Sequence, residues 1–225
     1  LSNVTDVALE YCDFDLKGAR VVVQGFGAVG RHTARFLTDN GAVLVGAADS
    51  RGAIHNPDGL DVTALSDIKA SGGALNDYGY ATPLDRDAVI DIDCDIWIPA
   101  ARPDVINEDN VHRLQTRLVI EGANIPITPG AEAQLAQRGI LCVPDFIANA
   151  GGVICAAMEY HGASEGMVMQ AIDEKLRRNT RLVLEDASSR GILPRQASVE
   201  LALTRVRKAM SYRRYALFST APGFV

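Results

Sequence analysis

Six residues early in the chain, Gly25-Phe26-Gly27-Ala28-Val29-Gly30, have the spacing of a phosphate-cradling turn. In that pattern Gly25 permits a tight turn, Gly27 lets a pyrophosphate approach the backbone, and Gly30 lets a helix pack against the strand before it. The helix N-terminus offers free N–H groups and the positive end of its dipole to the phosphate. Asp49 follows 19 residues after Gly30, where an acid can accept hydrogen bonds from an adenosine ribose. A carboxylate there repels a 2′-phosphate, so NAD is favoured. Arg51, two residues on, could pair with that phosphate, so NADP is not excluded. Three more sets join small residues to a polar handle: Pro99-Ala100-Ala101, Glu121-Gly122-Ala123-Asn124 and Asp145-Phe146-Ile147-Ala148-Asn149-Ala150-Gly151-Gly152. Each follows a short apolar run, and open α/β sheets bind ligands beyond the carboxyl ends of their strands.

The elements that must position these residues are legible as alternating patterns. Residues 20–24, 42–48, 95–99, 117–121 and 140–143 are apolar runs that read as strands buried on both faces. Helical spacing predicts helices over 3–13, 28–39, 61–70, 107–114 and from Pro129 to Arg138. On the second, Val29, Thr33, Phe36 and Leu37 form the expected apolar face, and Asn40-Gly41 ends it. Asp61 and Thr128 are the expected N-caps of two others. Residues 50–60 read as a loop, and 72–93 are weakly patterned. After residue 145 the character changes to three helices, about 149–161, 165–190 and 195–209. Strand-helix alternation predicts the α/β class: a doubly wound, mainly parallel, Rossmann-type sheet with a C-terminal helical extension. The expected organisation is one dinucleotide-binding domain over 1–225, with 150–225 as the extension. The Arg177-Arg178 and Tyr212-Arg213-Arg214-Tyr215 clusters read as solvated helix ends.

Composition bounds the function. The chain has 225 residues, 48% hydrophobic and 22% charged, as soluble globular proteins do. A net charge of −6 argues against a nucleic-acid platform. No apolar run reaches the roughly 18 residues of a membrane span. Cys12, Cys94, Cys142 and Cys155 form no CxxC pair and read as reduced cytoplasmic thiols. His32, His55, His112 and His161 lack metal-ligand spacing, so no metal is expected. The N-terminus lacks the basic and apolar regions of a signal peptide. It starts with Leu rather than Met, which suggests a fragment or a trimmed chain.

The Gly25–Gly30 turn, Ile54-His55-Asn56-Pro57-Asp58-Gly59, Glu121-Gly122-Ala123-Asn124 and Pro144-Asp145-Phe146 through Asn149-Ala150-Gly151-Gly152-Val153 together resemble the glutamate/leucine/phenylalanine/valine dehydrogenases. The likeness covers nearly the whole chain, in order, and matches the C-terminal nucleotide-binding domain. It implies reversible oxidative deamination of an L-amino acid to a 2-oxo acid and ammonia, with hydride passing to NAD or NADP. It implies that Gly25 to Gly30, with Phe26, Ala28 and Val29, hold the pyrophosphate, and that Asp49 and Ser50 hold the adenosine ribose. It also implies that Ala100 and Ala101 line the cofactor cleft, and that Asn124 meets the nicotinamide ribose region. Asn149, Gly151 and Gly152 would border the amino-acid substrate. The full-length protein would be a homo-oligomer.

Two departures stand out. The family's catalytic Lys, in a Gly-Gly-Lys setting, and its catalytic Asp lie in an N-terminal domain. The four Lys here are 17, 69, 175 and 208, and Ser71-Gly72-Gly73 is followed by Ala74. No catalytic residue is therefore expected in this chain. Glutamate-specific members also carry a Ser seven residues after the Asn of Asn-Ala-Gly-Gly, where this chain has Ala156. A non-catalytic dinucleotide-sensing or assembly module is the alternative reading. An upstream domain with Gly-Gly-Lys would decide between them.

Overall fold

The computed structural model describes residues 1–213. Arg214 and Tyr215 of the basic cluster, and the rest of the expected extension, lie outside the described residues. In chain order the helices and strands are α1 (Ser2–Leu9), β1 (Arg20–Gln24), α2 (Ala28–Asp39), β2 (Val43–Ala48), β3 (Ala53–His55), α3 (Val62–Ala70), β4 (Thr82–Leu84), β5 (Ile96–Pro99), β6 (Leu118–Ile120), α4 (Pro129–Gln137), β7 (Leu141–Val143), α5 (Asp145–Ala148), α6 (Gly151–Tyr160), α7 (Glu165–Arg190) and α8 (Pro194–Arg213). Three short 3-10 turns lie between them.

The strands form one sheet in the order β4-β3-β2-β1-β5-β6-β7. The five central and right-hand strands are parallel, while β3 pairs antiparallel with both β2 and β4. Chain order reverses between β1 and β5, and a crevice opens at such a reversal. The strands are apolar throughout because both faces are covered. Val21, Val23, Ile96, Ile98, Leu118, Ile120 and Val143 enter one core, with Leu37, Leu65, Leu176 and Leu184 from the helices. Val22, Trp97, Val119 and Cys142 alternate to the opposite core, with Ala131 and Leu135. The helices after residue 145 pack on one another around α7, which also covers α1. The sheet is thus mainly parallel and doubly wound, with a helical extension.

Local signals placed several boundaries. The Asp61 carboxylate accepts from the N–H groups of Thr63 and Ala64, and Thr128 Oγ1 accepts from Ala131 N. Gly41 takes a left-handed φ of 94° after Asn40.

Four expectations are corrected. The loop over 50–60 contains the antiparallel strand β3, and the weakly patterned stretch 72–93 contains β4. Both are three-residue strands at one end of the sheet, with β4 its edge, and are too short for periodicity to show. The expected helix over 107–114 is a single 3-10 turn at Val111–Arg113. There Asn110 Oδ1 accepts from Asn107 N, and Asn107 Oδ1 accepts from Asp109 N, so side chains outcompete the helix ladder. Helix α1 stops at Leu9, where the N–H groups of Tyr11 and Cys12 turn to three-residue bonds. Finally, α2 buries Gly30, Thr33, Ala34 and Leu37, leaving Val29 and Phe36 about half exposed. Gly30 sits against β1, and that contact rotates the buried face away from Val29.

Candidate functional site

The Gly25–Gly30 turn lies between β1 and α2, at the reversal of strand order. Gly25 has φ 104°, and a Cβ there would come within 2.8 Å of the Ala100 carbonyl carbon and of Ala101 N and Cβ. The turn after β1 and the turn after β5 therefore touch, and only glycine allows it. A Cβ on Gly30 would meet Gly25 O at 2.0 Å and Val23 Cγ1 at 2.8 Å, so helix and strand are packed to backbone contact. A Cβ on Gly27 meets no atom within 4 Å. Gly27 is also the N-cap of α2, no side chain caps that helix, and its first turn has no acidic residue. Open space before an uncapped helix N-terminus fits an anionic group.

Gly27, Ala28 and Val29 are exposed on the rim. Phe26 is not. Its side chain is buried in the core, and its N–H, like that of Gly25, donates to Ala48 O, at 2.8 Å and 2.9 Å. Phe26 anchors the turn rather than facing the cleft.

Asp49 follows directly on the last residue of β2, with Ser50 and Arg51 exposed beside it. Its carboxylate is occupied by protein donors. Oδ1 accepts from Arg51 N at 2.7 Å and Gly52 N at 3.2 Å, and Oδ2 from Lys69 Nζ at 2.8 Å and Leu75 N at 3.2 Å. A carboxylate offers about four such positions, so a ribose hydroxyl would have to displace one donor. Burial works to raise this carboxyl, but the bonds from Lys69, Arg51 and Leu75 outweigh it and hold it below the usual range. Sequence patterns did not single out Lys69.

On the other side of the reversal, three strand-end segments are tied together. Gly122 N and Ala123 N donate to Pro99 O at 3.0 Å and 2.8 Å. Asn149 Nδ2 donates to Asn124 Oδ1 at 2.9 Å and to Gly122 O at 3.4 Å. Ala100, Asn124 and Asn149, expected from sequence to share a cleft, are thereby brought together. Gly151 and Gly152 follow at the start of α6, where a Cβ on Gly152 would meet nothing within 4 Å. Ala156 lies one helical turn beyond Gly152 and is exposed with it. No residue of α6 is buried.

Beneath these segments sits a charged cluster that the sequence reading missed. Arg195, on α8, donates to Glu121 at 2.8 Å, Glu132 at 2.8 Å and Asp145 at 3.1 Å. The three carboxylate side chains are 0%, 3% and 9% exposed. Asp145 N donates to Glu121 Oε2 at 3.2 Å, and Ile125 N donates to Asp145 Oδ2 at 2.9 Å. One cation serves three acids. Burial pushes Glu121 up to about 7 against the pull of Arg195, with Glu132 and Asp145 adding to the rise. A carboxylate buried at a strand end demands a cation. Nothing in the sequence says which Arg supplies it.

The sequence profile of the Glutamate/Leucine/Phenylalanine/Valine dehydrogenase family matches residues 1–214. The chain belongs to this family. Its relatives include the NAD-specific glutamate dehydrogenase of Staphylococcus aureus, 37% identical over 210 residues, covering 91% of this chain and 50% of that protein. The NADP-specific glutamate dehydrogenase A1 of Halobacterium salinarum is 43% identical over 152 residues, covering 67% of this chain and 36% of that protein. Among solved structures, the hetero-hexameric glutamate dehydrogenase of Thermus thermophilus superposes with a TM-score of 0.84 at 29% identity, over 97% of this chain and 52% of that one. The chain spans about half the length of the curated relatives it matches. The sequence resemblance is thus borne out at the level of family and fold. Within this dehydrogenase-family chain, the touching Gly25 and Ala100–Ala101 turns form the centre of the candidate site.

Proposed function

We propose that this chain is the dinucleotide-binding domain of an amino acid dehydrogenase of the glutamate dehydrogenase kind. The reaction is reversible oxidative deamination: an L-amino acid, water and the oxidised dinucleotide give a 2-oxo acid, ammonia, the reduced dinucleotide and a proton. A nicotinamide held in the crevice would supply the hydride exchange at the α-carbon. The observation that carries this reading is the contact of the Gly25 turn with Ala100–Ala101 at the reversal of strand order, with open space over Gly27.

The chain's own residues bind and orient. Gly27, Ala28, Val29 and Gly30 receive the pyrophosphate at the α2 N-terminus. Phe26 holds that turn from behind. Ser50 and Arg51 flank the adenosine ribose, with Asp49 shaping the turn they sit on. Ala100 and Ala101 form the cleft wall, and Asn124 meets the nicotinamide ribose. Asn149, Gly151, Gly152 and Ala156 face the amino acid. NAD is preferred and NADP admitted, because the Lys69 ammonium offsets the Asp49 charge. The relatives named NAD-specific and NADP-specific support that breadth. The acid–base groups belong to the half of the relatives' length that this chain does not span. The unburied helix α6 suits a partner surface, and the protein works as a homo-oligomer. Four free thiols fit the reducing cytoplasm.

The test is a fluorescence titration of the 225-residue chain with NADH, followed by assay with NAD and a panel of amino acids. Saturable binding without turnover is expected. Absence of binding would overturn the reading, and turnover by this chain alone would overturn the assignment of acid–base groups elsewhere.

A further inference from the structure

Among the described residues, Arg195 is the one cation bonded to Glu121, Glu132 and Asp145. Its bonds lead on toward the cleft. Asp145 receives the N–H of Ile125, which has φ 49°. That is a left-handed conformation for a β-branched residue, and it persists only where the surroundings hold it. Asn124 directly precedes Ile125, and its Oδ1 accepts from Asn149. Asn149 N in turn donates to Asp145 O at 2.7 Å. Asp145 thus fixes both partners of the Asn124–Asn149 pair, one through its side chain and one through its backbone. Asp145 itself is fixed by Arg195 directly, and by Glu121 through its N–H. Phe146 flanks the guanidinium, 6.0 Å from ring centroid to Arg195 Cζ.

We propose that Arg195 is a positioning residue. By clamping Glu121 and Asp145 it holds the Gly122–Ile125 turn, and so sets Asn124 and Asn149 at the nicotinamide end of the cleft. The proposal rests on the dinucleotide reading above. None of these bonds reaches the Gly25–Gly30 turn, so the clamp acts on one end of the site. The guanidinium is suited to the task because its planar fork serves three acids at once, which a lysine ammonium cannot do with the same geometry. It also joins α8 to loops far away in sequence, making the helical extension part of the site.

The test compares NADH with ADP, which carries the adenosine and pyrophosphate but no nicotinamide riboside. Both are titrated against the wild-type chain, Arg195→Lys and Arg195→Met, and exchange of the Ile125 amide is followed by NMR. Arg195→Lys keeps the buried charge compensated, so it guards against a Met variant that fails to fold. Expected is a loss of NADH affinity of roughly 3- to 10-fold, the worth of one hydrogen bond, with ADP affinity changed less than about 2-fold. The Ile125 amide exchanges faster in both variants. If both ligands weaken equally, Arg195 supports the fold alone and the proposal is overturned. Unchanged NADH affinity, or an Ile125 amide still protected in Arg195→Lys, also overturns it. A wild-type chain that binds neither ligand would instead overturn the dinucleotide reading, and the proposal with it.

Discussion

The Lys69 ammonium donates to Asp49 Oδ2 at 2.8 Å, joining the last turn of α3 to the end of β2. The pair sits where an adenosine 2′ position is expected, so it governs the charge a 2′-phosphate would meet. Removing the cation by Lys69→Met should widen the preference for NAD. Repulsion from an unpaired carboxylate is about 1 kcal/mol in water and about 4 at an effective dielectric of 20. Ser50 and Arg51 beside the pair are exposed to water, so the lower figure applies and the NADP dissociation constant should rise by roughly fivefold to tenfold. Asp49→Ala should do the opposite and narrow the gap. Fluorescence titrations with NADH and NADPH read both, and parallel shifts for the two cofactors would count against this role.

Gly27 and Gly30 should separate function from folding. Gly30→Ala places a Cβ 2.0 Å from Gly25 O, so the helix must move off the strand. A loss of stability of about 3 kcal/mol or more is expected in urea unfolding. Gly27→Ala meets no protein atom. It should cost less than about 1 kcal/mol of stability, the range of an N-cap change, while sharply weakening NADH binding. A Gly27→Ala chain that binds NADH normally would move the pyrophosphate away from this turn.

Glu121 makes stability fall as pH rises. Its folded-state value, about 7, lies above the ordinary 4.5, so the native state keeps a proton that the unfolded chain has released. This contribution is fully present below about 4.5 and is lost as pH climbs to about 7. Its full size is about 3 kcal/mol, at about 1.4 kcal/mol per pH unit. Glu121→Gln cannot ionise. Wild type should therefore lose stability relative to this variant between pH 5 and 8 in denaturant titrations. A wild type that gains on the variant over that range would reverse the sign and refute the assignment.

Ala156→Ser tests the substrate. Ala156 is exposed on α6, so the change should leave the melting temperature within about 2 °C of wild type. In the complete enzyme it should raise kcat/KM for glutamate roughly tenfold, because a hydrogen bond to a charged group contributes about 1.5–3 kcal/mol. An enzyme already specific for glutamate and indifferent to the substitution would show that other groups hold the side-chain carboxylate.

Local residue patterns were enough to define the strand-turn-helix unit around Gly25–Gly30, the caps at Asp61 and Thr128, and the span of α7. These depend on residues within a few positions of one another, so spacing and residue type suffice. The sequence also placed Ala100, Asn124 and Asn149 at strand ends, which in a parallel sheet fall on one side. Long-range packing was needed to turn Phe26 into the core, to hide Ala34 rather than Phe36 under α2, and to extend the sheet with short antiparallel strands. It alone joined Lys69 to Asp49 across 20 positions and Arg195 to Glu121 across 74. Such pairs depend on where the chain brings distant segments in space. The energy that selects them is the cost of leaving a buried carboxylate without a cation, and no local pattern records which cation will arrive.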